Sequence, residues 1–235
     1  MGKKKEVKNI ADQCAKLKVE LRQLALPRLE KKWVVAEKEF SKPETAALEF
    51  FLQRGYIGTC CEGGPLLLLL KSMIFRFLVK INIFQDRTDA IQRFLEAQLT
   101  IHKNKKKQFI SSIIQANRNE TIDNFREIYA NSFVKDYYKG VSEDVVMGLY
   151  DSLGIKLLSE ILSRFMTDPY SYRAGWPDLT IVKDNQITLI EVKTTDAFHD
   201  SQLRIIKDFI QPHSLPFFVL QIVKAPGPVA NYAFQ

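Results

Sequence analysis

Two carboxylates and one ammonium carry the strongest chemical signal in the chain. Asp178 follows Gly175-Trp176-Pro177, and Glu191-Val192-Lys193 comes twelve intervening residues later, giving Asp-x12-Glu-x-Lys. Residues two apart in a strand share a face, so Glu191 and Lys193 point one way and Val192 the other. A hairpin of this length brings Asp178 beside Glu191. Carboxylates so placed repel unless a cation lies between them. Hard oxygen donors select Mg2+ or Mn2+ over zinc. A lysine at such a centre stabilises phosphate charge or helps deprotonate an attacking water, and the reaction class is phosphodiester hydrolysis. Spacing alone also admits a solvent-facing hairpin with an i, i+2 ion pair. The setting favours chemistry, because Glu191 lies within Thr188-Leu189-Ile190-Glu191-Val192, where a charge in apolar company needs a reason.

The flanks widen the pattern. Arg173-Ala174-Gly175-Trp176-Pro177-Asp178-Leu179, Glu191-Val192-Lys193 and Ser201-Gln202 together resemble the virus-type replication-repair nuclease (VRR-NUC) family of the PD-(D/E)xK superfamily. Upstream, Ala47-Leu48-Glu49-Phe50-Phe51, Arg54-Gly55-Tyr56 and Cys61-Glu62-Gly63-Gly64 before an apolar helix are similar to the nuclease domain of the Fanconi-anaemia-associated nucleases. The likeness runs over about residues 44–224. It implies a restriction-endonuclease-like α/β core and metal-dependent cleavage of branched DNA, with 5′ flaps preferred and a role in crosslink repair. Asp178, Glu191 and Lys193 fall on the catalytic motif. Glu62 falls on the additional acidic residue, with Glu49 as the alternative, and Gln202 falls on the motif glutamine of the next helix. Glu62, Asp178, Glu191 and the Val192 carbonyl are then expected around Mg2+ or Mn2+. Tyr172 and Arg173 are candidates for a phosphate track, against a plain tyrosine and a rim arginine. His199 is a candidate DNA contact, against an exposed loop histidine. The family's N-terminal modules, a zinc finger, a SAP module and helical repeats, are not read in this sequence.

The elements that must position these residues follow from periodicity. Residues 6–40 read as one long charged helix, with Val7, Ile10, Cys14, Leu17, Leu21 and Leu24 at spacings of three and four. Residues 1–45 hold 12 Lys or Arg and 7 Asp or Glu, a net of +5 out of the chain's +7. Residues 1–42 are therefore expected to form a basic helical arm. A nuclease domain over 43–225 follows. Its helices begin at Pro43 and Pro65, a helical insertion occupies about 85–166, and strands are expected at 178–182, 187–192 and 215–223, with a helix at 201–210. Residues 226–235 read as a tail. The fold class is α/β: a mixed sheet flanked by helices.

Composition bounds the partners. A net charge of +7 and a pI near 9.2 suit a polyanion, though a merely basic soluble protein is also compatible. The run Lys103, Lys105, Lys106 and Lys107 is a solvated face or a phosphate contact. Three cysteines, Cys14, Cys60 and Cys61, form neither a disulfide framework nor paired zinc ligands, which points to a reducing intracellular compartment, cytoplasm or nucleus. The apolar run Leu66–Leu70 is followed by Lys71, Arg76 and Lys80, so a buried helix is expected rather than a membrane span. Branched DNA is the expected partner. Compact viral members of the family are expected to pair two domains, and the inserted helices here are expected to cover that surface and leave a monomer. Three other readings are a sequence-specific restriction-type endonuclease, a catalytically inactive DNA-binding module and a helical interaction protein.

Overall fold

The computed structural model describes residues 9–225. Helix α1, Ile10–Leu17, begins where the Asn9 side chain accepts from the Ala11 amide at 3.1 Å. It ends at Lys18, which turns into the left-handed region at φ 54°. The chain then enters strand β1, Leu21–Leu26, followed by the short strands β2, Arg28–Leu29, β3, Lys32–Val35, and β4, Lys38–Phe40. This overturns the expected helical arm over 1–42, of which residues 1–8 lie outside the described residues. Leu24 and Leu26 are buried in alternation, as are Trp33 and Val35, so the operative period is two rather than 3.6. The turns gave no warning. Glu30, Ala36 and Glu37 adopt positive φ without the Gly or Asn that usually marks a hairpin.

Helix α2, Pro43–Leu52, starts with proline in its first turn, and β5, Ile57–Thr59, follows it. Helix α3, Gly64–Ile81, is buried along most of its length. Residues 85–166 are built from helices: α4, Arg87–Gln92; α5, Leu95–Ile101; α6, Lys106–Gln115; α7, Arg118–Ala130; α8, Ser132–Tyr137; and α9, Glu143–Phe165. The chain then forms the hairpin of β6, Leu179–Lys183, and β7, Gln186–Lys193. Helix α10, Asp200–Ile205, continues into a π-helical turn over Ile206–Ile210, and β8 spans Phe217–Lys224. The expected tail over 226–235 lies outside the described residues.

The main sheet has the order β1-β8-β7-β6-β5, and β2-β3-β4 form a separate small sheet. Strands β1, β8 and β7 run parallel, while β6 and β5 pair antiparallel. Strand β1 therefore belongs to the main sheet, so the chain before residue 43 is not a separate arm. Apolar side chains cover both faces. On one side Ile190, Val192, Phe218 and Leu220 pack with α2, Trp33 and Val35. On the other, Ile187, Leu189 and Val219 join the larger core of α3, the inserted helices and the segment from Ile205 to Ile210. Strand alternation places Glu191 and Lys193 on this second side. Among the described residues, no helix is long and apolar enough to cross a membrane.

Candidate active site

The β6–β7 register pairs Leu179 with Ile190, which sets Asp178 opposite Glu191 at the end of the hairpin. Asp178 Oδ2 accepts from the Val192 amide at 2.8 Å. Burial pushes the Asp178 carboxyl up to about 6; the Val192 amide and Lys193 pull it down, and Glu44 pushes it further up. Glu191 is 2% exposed. Its carboxyl is raised well above the usual range by burial and then by Asp178, while Lys193 opposes the shift. The two carboxyls are themselves in hydrogen-bond contact, so without a cation the pair retains a proton.

Lys193, also 2% exposed, is held from three directions. Its Nζ lies 3.0 Å from Glu191 Oε1, 3.1 Å from Asp196 Oδ2 and 3.0 Å from Gln202 Oε1. Burial alone would lower its pKa, but Glu191 and Asp196 outweigh burial and hold it above the ordinary lysine value. Gln202 is a bridge. Its Nε2 donates to Glu191 Oε1 at 2.5 Å, and its Oε1 accepts from the His199 amide at 2.9 Å as well as from Lys193. The first turn of α10 is thereby fastened to the end of β7. Asp196 was missed by sequence reasoning; an acid three residues after Lys193 was the only signal.

The acidic partners differ from the sequence expectation. Glu44, in the first turn of α2, raises Asp178, and it also acts on the exposed Cys60 together with Asp178. Glu62 reaches the loop that leads into Asp178. Its Oε1 accepts from the Gly175 amide at 2.6 Å, and its side chain lines a cavity with Cys61, Leu67, Glu96, Tyr137, Tyr138, Arg173 and Ala174. Glu49 pairs with Lys38 at 2.8 Å and accepts from Gln53 at 3.1 Å. The signal for Glu44 was its place beside Pro43, where a helix N-terminus favours a carboxylate.

The expected DNA contacts divide. Tyr172 is 5% exposed; its hydroxyl donates to Asp208 Oδ2 at 2.8 Å and its ring meets Phe209 edge-on at 4.9 Å. It is a core tyrosine and does not line a phosphate track. The Arg173 side chain is 56% exposed, 3.9 Å from Glu96. His199 is exposed at the start of α10.

The donor set suits a hard divalent cation. A buried and a half-buried carboxyl, with Glu44 bearing on one of them, supply oxygen donors whose mutual repulsion a cation relieves. Among the described residues, no three His, Cys, Asp or Glu side chains already converge as a ligand cluster. Asp178 and Glu191 are therefore the formed part of the site.

Residues 111–224 match the VRR-NUC domain family. No curated protein matches the chain. Among solved structures, the chain is similar to paFAN1 bound to 5′ flap DNA with a 2-nucleotide flap and a gap, at 18% identity and a TM-score of 0.64. It is similar also to paFAN1 bound to 5′ flap DNA with a 1-nucleotide flap and a gap, at 19% identity and a TM-score of 0.63. Each likeness covers 89% of this chain and 38% of that one, so the chain spans well under half of those proteins. At these identities the likeness speaks for the fold.

Proposed function

From a chain whose residues 111–224 match the VRR-NUC domain, we propose a metal-dependent, structure-selective DNA nuclease that hydrolyses phosphodiester bonds in branched DNA and prefers 5′ flaps. The observation that carries this reading is the constellation of the half-buried Asp178 with the buried Glu191 and Lys193, the Lys193 Nζ lying 3.0 Å from Glu191. The flap DNA bound in the paFAN1 structures supports the substrate class.

Asp178, Glu191 and the Val192 carbonyl are the groups that would hold Mg2+ or Mn2+, with Glu62 as the additional acid and Glu44 bearing on Asp178. Such an ion, when bound, lowers the pKa of a water and neutralises charge on the phosphate oxygens. The chain's own residues do the rest. Lys193, kept protonated by Glu191 and Asp196, presents a fixed positive charge to the phosphate. Gln202 fixes the rotamers of Glu191 and Lys193 together. Arg173 stands exposed beside the site for a phosphate contact, and His199 stands exposed at the start of α10.

A panel of end-labelled 5′-flap, 3′-flap, nicked, four-way and linear DNAs with Mn2+ tests the reading, with EDTA and Asp178→Ala as controls. Cleavage strongest on the 5′ flap, abolished by both controls, is expected. Discrete fragments from linear duplex would point to sequence-specific recognition, and cleavage that survives Asp178→Ala would remove the site.

A further inference from the structure

The cavity that Glu62 shares with Glu96, Tyr137 and Arg173 measures about 470 Å3. That is within the range of small-molecule pockets, roughly 300–1,000 Å3, and ample for one planar heterocycle. Glu96 of α5 forms part of its wall and is only 5% exposed. Among the described residues its ion-pair partner is Arg173, at 3.9 Å. A buried carboxylate so placed repels a phosphate but accepts N–H groups from the edge of a base. The rim is aromatic and cationic. Phe84, Phe133, Tyr137 and Tyr170 are each 47% to 60% exposed, although rings of this size usually bury themselves. Tyr137, at the end of α8, meets Phe94 at 4.5 Å, and Phe133 meets the same Phe94 at 5.8 Å. The Arg173 guanidinium lies 5.5 Å from the Tyr170 ring, and that of Arg93 lies 5.0 Å from the Phe84 ring. Arg93 also interacts electrostatically with Tyr170, so the rings and guanidinium groups form one tract. Lys135 and Lys139, both exposed, add two cations against Asp136 of the same segment.

We propose that this tract binds the unpaired strand of the DNA: a base unstacked beside the catalytic centre lies on the Tyr137 ring with its edge toward Glu96, the next bases stack along Phe133, and their phosphates meet Arg173, Lys135 and Lys139. The proposal deepens the reading of the chain as a nuclease of branched DNA and rests on it. Glu62 lines the same cavity and reaches the loop that leads into Asp178, so a strand leaving the carboxylates runs directly into it. Every base has a π-face, so stacking of this kind is indifferent to sequence and suits an enzyme that selects structure. Paired bases keep their faces inside the stack, and only an unpaired strand gains from the tract. A second copy of the chain is the rival occupant of an exposed apolar face. The cations favour a polyanion, and an apolar side chain in the cavity would strip water from Glu96 without replacing its hydrogen bonds. The inserted helices α5 and α8 thereby contribute to substrate choice.

The experiment measures binding in EDTA, where no strand is cut, to a 5′-flap DNA and to the same nicked duplex without a flap. It compares the wild type with Tyr137→Ala and Tyr137→Phe. The flap carries 5-iodouracil at its first unpaired position, a base that crosslinks under ultraviolet light to an aromatic ring stacked on it. Tyr137→Ala is expected to weaken flap binding roughly fivefold to a hundredfold, the scale of one lost base–aromatic stack, with affinity for the nicked duplex unchanged. Tyr137→Phe keeps the ring and binds as the wild type does. The wild-type crosslink maps to Tyr137 and disappears in the alanine variant; with iodouracil moved into the duplex arm, Tyr137 is not crosslinked. Unchanged flap affinity in Tyr137→Ala, an equal loss on both DNAs, or a crosslink that maps outside the tract overturns the proposal. A wild-type dimer in light scattering that Phe133→Ala dissolves would assign the face to a second copy and overturn it too. If Tyr137→Ala does not fold, Tyr137→Leu removes the aromatic face while keeping bulk, and the same ratio of affinities decides. If the wild-type protein cleaves none of the DNAs with Mn2+, the nuclease reading falls, while the crosslink and the affinity ratio still decide whether the tract holds an unpaired strand.

Discussion

The backbone amide of Val192 donates to the side chain of Asp178 at 2.8 Å, so the strand that carries Glu191 and Lys193 also holds the aspartate opposite them. The bond favours the charged carboxylate, but burial outweighs it and raises the carboxyl to about 6. The folded pKa lies above the ordinary aspartate value, so folding favours the protonated form. The resulting stability is full below about pH 4 and is lost as pH rises through about 6. In EDTA at pH 7.5, Asp178→Asn is therefore expected to stabilise the protein, by roughly 3 kcal/mol at most. The gain should vanish near pH 4, and thermal melts at the two pH values check it. Cleavage by the same variant should be lost while flap binding persists, because phosphate contacts elsewhere carry affinity.

Gln202 offers a second test. It donates to Glu191 and accepts from Lys193, so Gln202→Ala takes one partner from each side chain. A fall in kcat of roughly tenfold to a hundredfold is expected, with DNA binding retained. Gln202→Glu should be worse, since it removes the donor to Glu191 and sets a third carboxylate beside the pair. Single-turnover rates at saturating DNA distinguish the two; equal rates for both variants and the wild type would dismiss the bridge.

Glu44 and Glu49 lie on the same helix, and the electrostatics separate them. Glu44→Gln should raise the Mn2+ concentration needed for half-maximal cleavage and lower the maximal rate, because Glu44 is the acid that bears on Asp178. Glu49→Gln gives up the charge pair with Lys38, a side chain 65% exposed, and should change stability by no more than about 1 kcal/mol with activity intact. The opposite ranking in a metal titration would favour Glu49, the alternative to Glu62 as the additional acid.

The assembly state follows from what the inserted helices cover. Helices α6 and α7 pack on α3, and α9 packs on both α3 and the sheet. Light scattering is expected to report a single species of 27.1 kDa across concentration, with activity on flaps. A stable dimer making paired cuts in four-way junctions would show that those helices leave a pairing surface open.

How far the sequence spoke depended on the period available to it. The hairpin from 179 to 193, α2 and the helices over 87–165 were legible, because each shows one clear periodicity over a long enough run. The segment from Lys18 to Phe40 was not. Leu17, Leu21 and Leu24 fit a helix as well as a strand, and Ala36 and Glu37 turn the chain without a glycine. Strand β5 is three residues long, too short for a pattern. At the site, Asp178, Glu191, Lys193 and Gln202 were legible from spacing and flanks and meet in the structure. Glu44 and Asp196 were not, since only the folded chain brings α2 and the loop after β7 to the hairpin end. Tyr172 stayed open between a phosphate contact and a plain tyrosine because its partners, Asp208 and Phe209, lie more than thirty residues onward.

The pairing of β1 with β8 has a consequence for how the molecule is made. The side-chain Nε2 of Gln23 donates to Gln221 Oε1 at 3.0 Å across a separation of 198 residues. During synthesis the helices can gather as they emerge, but β1 waits for a partner that arrives almost last. A chain halted before Phe217 carries two unsatisfied strand edges, on β1 and on β7, which invite association with other chains. Closing so long a loop is slow, so refolding should be governed by the arrival of β8 rather than by helix formation.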